Sequence, residues 1–157
     1  MLSLPISRND YVTSRFIAAF AVMSLATMTF LVSLVVGARM VDMDVAIGRL
    51  VAGGVVLFGL GSLMMTIAAA IGAATGRRGA SFGIAMSVGV ALFVQYSLGA
   101  LVEFVDKMTP YNPMQWSIGS DPLRTGIDAG YLGFTALLMV PFVWTAYRSF
   151  SRRDIAG

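Results

Sequence analysis

The sequence predicts an all-α polytopic membrane protein: four transmembrane helices, both termini cytoplasmic, and a long outer link before the last helix. Composition is the first observation behind this. Of 157 residues, 57% are hydrophobic and only 12% are charged, and the mean hydropathy is +0.81. Globular chains carry about 25% charged residues, so this chain could not cover a water-facing surface. The second observation is a set of four uncharged apolar runs, at 16–37, 51–75, 81–102 and 129–147, of 22, 25, 22 and 19 residues. At 1.5 Å per helical residue, runs of this length cross a hydrocarbon core of ~30 Å. They lack the period-2 alternation of barrel strands, and lipid admits only helices or closed barrels. The third observation is the placing of the basic residues around those runs.

The chain opens with LSLPISRNDYVTSRF. Ser7 and Asp10 have the spacing of a capping box, Pro5 stops a helix from running through, and Asp10 suits the positive end of a helix dipole. A helix therefore starts near Ser7 and either continues into the first span or bends near Arg15. On the residues alone, this is either a solvated cap with Arg8 and Arg15 as anchors, or a docking surface. The first apolar run begins only at Phe16 and is too long for the core of a secretory signal.

The second span holds Gly53, Gly54, Gly59, Gly61 and Gly72 and leads into TGRRGAS. Gly72 with Gly76, and Gly79 with Gly83, have the small-xxx-small spacing that lets helices approach, predicting a tight hairpin between spans two and three. Gln95 is the most polar side chain well inside a span, with Tyr96 beside it. It is a candidate for lining a pathway or for a hydrogen bond between helices. Residues 103–128 form the outer link, EFVDKMTPYNPMQWSIGSDPLRTGID, in which three prolines forbid one continuous helix. It reads as a short interfacial or re-entrant element, with Tyr111 and Trp116 suited to the headgroup level. Asp121 and Pro122 have the order of an N-cap and first helical residue, placing the start of the last helix near there. Pro141 should kink that helix, as a hinge or as a passive bend.

With an even number of spans, both termini and the Gly-Arg-Arg-Gly turn share one side. That side holds Arg8, Arg15, Arg77, Arg78, Arg148, Arg152 and Arg153, seven of the 11 basic residues. The other side holds six of the eight acidic residues. By the positive-inside rule the first side is cytoplasmic.

Several chemistries are excluded. There is no cysteine and no histidine, which removes thiolate and histidine metal sites, histidine relays and a Ser-His-Asp triad. The only lysine, Lys107, lies in the outer link, so the chain has no P-loop for ATP. No acidic residue lies deep in a span, against a carboxylate proton relay. The 11 methionines are scattered and read as gap-fillers rather than copper ligands. No catalytic residue, cofactor-binding residue or metal site is expected, and no nucleic-acid partner. What remains is transport, anchoring or assembly.

Four stretches carry a likeness to a known family. The opening LSLPISRNDYVTSRF resembles a cytoplasmic segment preceding a third span, often L-x-x-P-[IV]-S-R. IGAATGRRGASFGIA resembles the turn between the fourth and fifth spans. MTPYNPMQW and GSDPLRTGID resemble an outer link leading into D-P-L-R-x-G, and YRSFSRRDI resembles a basic ending after the last helix. In order and sidedness these resemble the membrane-spanning permease subunits of type-2 ATP-binding-cassette (ABC) exporters. Such permeases usually have six spans, and the four here match the last four. The chain then corresponds to a fragment, an internal start of a longer frame, or a split half.

The resemblance implies a permease subunit, or its C-terminal part, in the cell (plasma or inner) membrane. It would move a small molecule or lipid using ATP hydrolysed by a separate ABC ATPase subunit. It would pair with a second membrane subunit, identical or different, within the lipid bilayer. The resemblance also tips the opening stretch toward docking: Pro5, Ser7 and Arg8 fall in the 1–15 segment that would couple to the ATPase. The alternative is a non-transporting four-helix anchor or assembly protein, which shares the composition but not the motifs. A small channel is a further reading, for which only Gln95 is a notable polar residue.

Overall fold

The computed structural model describes residues 8–151, with the side chains of Arg8, Asn9, Arg78 and Ser151 excepted. Among the described residues four helices are long and apolar enough to cross a membrane. They are α1 (Arg8–Met40), α2 (Ile47–Thr75), α3 (Arg78–Gly99) and α6 (Ala129–Ser151). Between α3 and α6 lie α4 (Glu103–Asp106), a 3-10 turn (Thr109–Tyr111), a π-helical turn (Gln115–Gly119) and α5 (Pro122–Thr125). No strand occurs among the described residues.

Helix α2 is the axis. It packs most extensively on α6 and also against α1 and α3. In its apolar window 44% of residues are buried, against 0%, 6% and 11% in α1, α3 and α6. Five of its six glycines, all but Gly48, remove a Cβ where a neighbour arrives, which explains the central place. A Cβ on Gly54 would lie 2.5 Å from Leu31 of α1, and one on Gly61 would collide with Met23 of α1. Gly59 faces Leu132 of α6 at 3.4 Å and Gly53 faces Leu123 of α5 at 3.3 Å. Small residues that let backbones close are the expected packing device where lipid supplies no hydrophobic drive between helices.

The outward faces fit the same solvent. Ile17, Leu25, Val32 and Val36 on α1, and Phe82, Met86, Val90 and Phe93 on α3, are all exposed. In water these stripes would be an association hazard; in hydrocarbon they are the required surface. Several hydroxyls along the spans bond inside their own helices. Thr27 donates to the Met23 carbonyl (2.9 Å), Ser97 to Phe93 (2.9 Å) and Thr135 to Tyr131 (2.8 Å). Such back-bonding satisfies a polar group that lipid cannot solvate.

Helix α1 runs unbroken past Arg15, so the predicted bend there is absent. It ends in a Schellman turn: Asp42 takes a left-handed conformation (φ 50) and Met43 N–H donates to the Ala38 carbonyl at 2.9 Å. Aspartate tolerates this region less well than glycine but better than most residues. Helix α2 ends at Gly76 (φ 70), whose N–H reaches the Gly72 carbonyl at 2.9 Å. This leaves two residues, Gly76 and Arg77, before α3, and a Cβ on Gly72 would sit 3.1 Å from Ser81 Oγ. Gly79 and Gly83 meet nothing within 4 Å, so they take no part in the predicted seam.

The predicted start of the last helix is corrected. Asp121 does precede a helical turn, but in a left-handed conformation (φ 48) and with no side-chain cap. Its carboxylate instead lies 3.7 Å from Arg124. The turn ends at Gly126 (φ 85), and α6 begins afresh at Ala129. The true cap is Asp128, whose Oδ1 accepts from Gly130 N–H (2.8 Å) and Tyr131 N–H (3.3 Å). Asp128→Ala should therefore destabilise the chain by about 1 kcal/mol, whereas Asp121→Asn, which keeps a side chain that tolerates the left-handed backbone, should lose only an exposed ion pair. Denaturation of the two variants in mixed micelles distinguishes them.

Helix α6 continues through Pro141 as a single helix. Proline leaves the Leu137 carbonyl without its helical donor. The Thr145 hydroxyl donates to the Pro141 carbonyl at 2.7 Å.

Candidate functional site

Two built regions stand at opposite ends of the bundle. The first is where α1 begins and α6 ends. Tyr11 stacks on Phe150 (centroids 5.4 Å apart) and Phe16 on Tyr147 (6.0 Å). Thr13 Oγ1 and the Tyr147 hydroxyl share a hydrogen bond of 2.9 Å. Tyr11, Thr13 and Phe16 thus join the first turns of α1 to the last turns of α6, while residues 11, 12, 15, 16 and 19 share one face of the helix. Arg15 lies 5.0 Å from the Tyr11 ring centroid and Arg148 4.9 Å from that of Trp144, both cation–π arrangements.

By leaning on α6 here, α1 parts from α2. The two touch at Leu31–Gly54, Met23–Gly61 and Phe20–Phe58. Beyond that they diverge around a cleft of about 620 Å³. Ala68, Ala69, Gly72 and Ala73 of α2 form its floor, Val12 and Phe16 one wall, and Ser81 and Phe82 of α3 the other. Among the described residues Arg15 is the charged one in its lining.

The second region is the 103–128 link, folded against α2 and α3. Asn112 is its pin, with only 1% of its surface exposed. Its Nδ2 donates to the Leu92 carbonyl (2.8 Å) and to Gln95 Oε1 (2.9 Å), and its Oδ1 accepts from Met114 N–H (2.8 Å). Trp116 Nε1 donates to the Pro110 carbonyl at 2.6 Å, and its ring meets Phe134 of α6 edge-on at 4.6 Å. Trp116 is thus buried (7% exposed) rather than at a headgroup surface, while Tyr111 is 81% exposed. The aromatic ring that sequence placed at an interface is a wedge between the link and α6.

The residues singled out from sequence do not form one site. Pro5 and Ser7 lie outside the described residues, and Arg8 contributes the first position of α1. Gln95 is drawn into the Asn112 pin. Tyr96 is half-buried beside it, and Pro141 is on the exposed face of α6, away from both. Asn112, Phe16, Tyr147 and Phe150 were missed. Only Asn112 had a signal, as a polar residue held between two prolines in TPYNP. Among the described residues no three acidic side chains gather where they could hold a metal ion. The arrangement is mechanical, with one rigid junction at each end of α2 and α6.

Comparison with known proteins agrees with that character. Residues 1–119 match the family model of the ABC-2 family transporter protein. No curated protein and no solved structure matches the chain. The matched stretch spans α1, α2, α3 and the link as far as the π-helical turn. This chain of four apolar helices belongs to the ABC-2 family of transporter proteins.

Proposed function

We propose that this chain is the permease subunit, or the C-terminal part of one, of an ABC exporter that moves a small molecule or lipid across the cell membrane. Membership of the family makes it a permease-type membrane component of an ABC transporter. In this reading a separate ABC ATPase hydrolyses the ATP, a second membrane subunit completes the pathway, and both termini are cytoplasmic. Seven of 11 basic residues on the terminal side support that orientation.

The observation that carries the coupling role is the length and attachment of α1. Its 33 residues extend ~50 Å at 1.5 Å per residue, beyond a hydrocarbon core of ~30 Å. A push at Arg8 would travel along an unbroken helix. Through Tyr11–Phe150, Phe16–Tyr147 and Thr13–Tyr147 it would reach α6, which is packed along α2. Pro5, Ser7 and Arg8 then form the contact at which ATPase closure enters the membrane subunit.

Purification of the native complex through a C-terminal tag tests the reading: a nucleotide-binding subunit should co-purify in fixed stoichiometry. Within that complex, Pro5→Ala with Arg8→Glu should sharply reduce ATP-dependent transport. An interface arginine is commonly worth ~2 kcal/mol, about thirtyfold in affinity. Transport unchanged by the double substitution would sink the coupling role, and a chain that purifies without an ATPase would favour an anchor.

A further inference from the structure

We propose that the cleft between α1 and α2 is a binding site for one anionic phospholipid of the surrounding leaflet, with an acyl chain inside and the phosphate on Arg15. The inference concerns a resident lipid and holds whether or not the coupling role assigned to Pro5, Ser7 and Arg8 is right.

The cleft has the size of a small-ligand site. Its volume of about 620 Å³ falls within the ~300–1,000 Å³ usual for pockets that enclose a small molecule. Its lining sorts by chemistry along its length. The deep part is apolar: Ala19, Met65, Ala68, Ala69 and Ala73. On α2 these positions, with Gly72, repeat at three and four residues, so one face of small side chains forms a trough along the membrane normal. The end where α1 begins carries Tyr11 and Arg15 beside Val12 of α1 and Ala146 and Phe150 of α6, and Ser81 of α3 is occupied by its bond to the Arg77 carbonyl. Among the described residues no acidic side chain lines the cleft, and Arg77 follows directly on Gly76 at its mouth. A single-tailed depth under a cationic rim at the end of a membrane helix matches an acyl chain below an anionic head.

The mouth is also open to the leaflet. Phe82 of α3 is 70% exposed and Tyr11 of α1 is 41% exposed, and the cleft lies where α1 and α3 flank α2 without extensive contact of their own. A lipid can enter sideways. An unfilled apolar trough is costly because its walls lose their dispersion partners, and a hydrocarbon tail restores them without placing a polar group in the core.

The test uses the full chain reconstituted in vesicles of equal parts phosphatidylcholine and phosphatidylglycerol. One of the two lipids in turn carries a photoactivatable diazirine midway along its acyl chain. After illumination, peptide mass mapping locates the adducts. A tail in the cleft should mark Ala68 to Ala73, with phosphatidylglycerol marking them more than phosphatidylcholine does. Arg15→Gln should cut the phosphatidylglycerol yield there about fivefold, the effect of one basic residue on an anionic lipid, and leave the phosphatidylcholine yield unchanged.

Ala69→Phe, which fills the trough, should abolish adducts on Ala68 to Ala73 while those on outward Val90 and Phe93 persist; the persisting adducts show that the variant is inserted and folded. Adducts confined to outward faces of α1 and α3 in the unsubstituted chain would overturn the proposal, as they would if a second copy or another subunit covered the cleft. Equal marking by both lipids, insensitive to Arg15→Gln, would overturn the anionic specificity on which the assignment stands.

Discussion

Asn112→Leu is expected to destabilise the protein by about 3 kcal/mol and to release the 103–128 link, a loss measurable by denaturation in mixed micelles together with limited proteolysis. The side chain is enclosed, with 1% exposed, and makes three hydrogen bonds, two to α3 and one within the link. A net ~1 kcal/mol per bond, with a further ~1–3 kcal/mol for each buried group left unpaired, sets the scale. Met114 N–H and the Gln95 amide would both lose their partner. The Leu92 carbonyl loses least, because it lies within α3 and has a helical donor. The double substitution Asn112→Leu with Gln95→Leu should recover part of the loss, since it leaves no amide stranded. If proteolysis in the link does not increase in the single variant, the pin is not what holds the link.

Gly54→Leu carries the second large effect. A Cβ at this position would lie 2.5 to 2.7 Å from three atoms of Leu31, including the branch carbon. The obstacle is therefore the body of the side chain rather than a movable tip. Overpacking of this kind costs about 1–3 kcal/mol, and a whole leucine belongs at the upper end. The structural consequence is specific: α1 would be levered from α2 where Leu31 seats on Gly54. Leu31→Ala should rescue Gly54→Ala more than it rescues Gly54→Leu, a coupling that a double-mutant cycle reads directly. Gly48→Leu is the control, because nothing lies within 4 Å of its Cβ position. Equal destabilisation at Gly48 and Gly54 would mean that the close approach to α1 is not the cause.

The two substitutions act at different joints. Asn112 holds the link against α3, whereas Gly54 holds α1 against α2. Between them α6 is clasped at both ends, by Trp116 on Phe134 and by Phe16 on Tyr147. In the proposed coupling, loosening the α1–α2 contact should uncouple transport from ATP hydrolysis, while loosening the link should leave the ATPase-facing end intact.

Much of this was legible in the sequence because lipid is a demanding solvent. An apolar run too long for a soluble core leaves helix as the one open structure that pairs all its backbone groups, so the existence of α1, α2, α3 and α6 follows from composition and length. The prolines at 110, 113 and 122 likewise announced that the link would be broken into short turns. The likeness to ABC exporter permeases rested on short motifs, and the family assignment agrees with it over 1–119.

What the sequence left open was which polar and aromatic residues would find one another. Asp121 had the neighbours of an N-cap, yet its left-handed backbone turned the carboxylate toward Arg124, and Asp128 took the cap. Trp116 reads as an interfacial residue until Phe134, eighteen positions on, closes over it. Gln95 had a partner to seek but no local clue to Asn112. Gly79 and Gly83 had the same spacing as Gly72 and Gly76, but only the second pair lies where chains meet or turn.

The sequence by itself therefore determined that the chain crosses a membrane as four helices, since hydrocarbon imposes that rule on every residue alike. Only the tertiary structure decided that α2 is the axis, that Asn112 is the pin and that α1 parts from α2 around a cleft. Those outcomes depend on side chains distant in sequence arriving at one place, and spacing along the chain carries no record of that meeting.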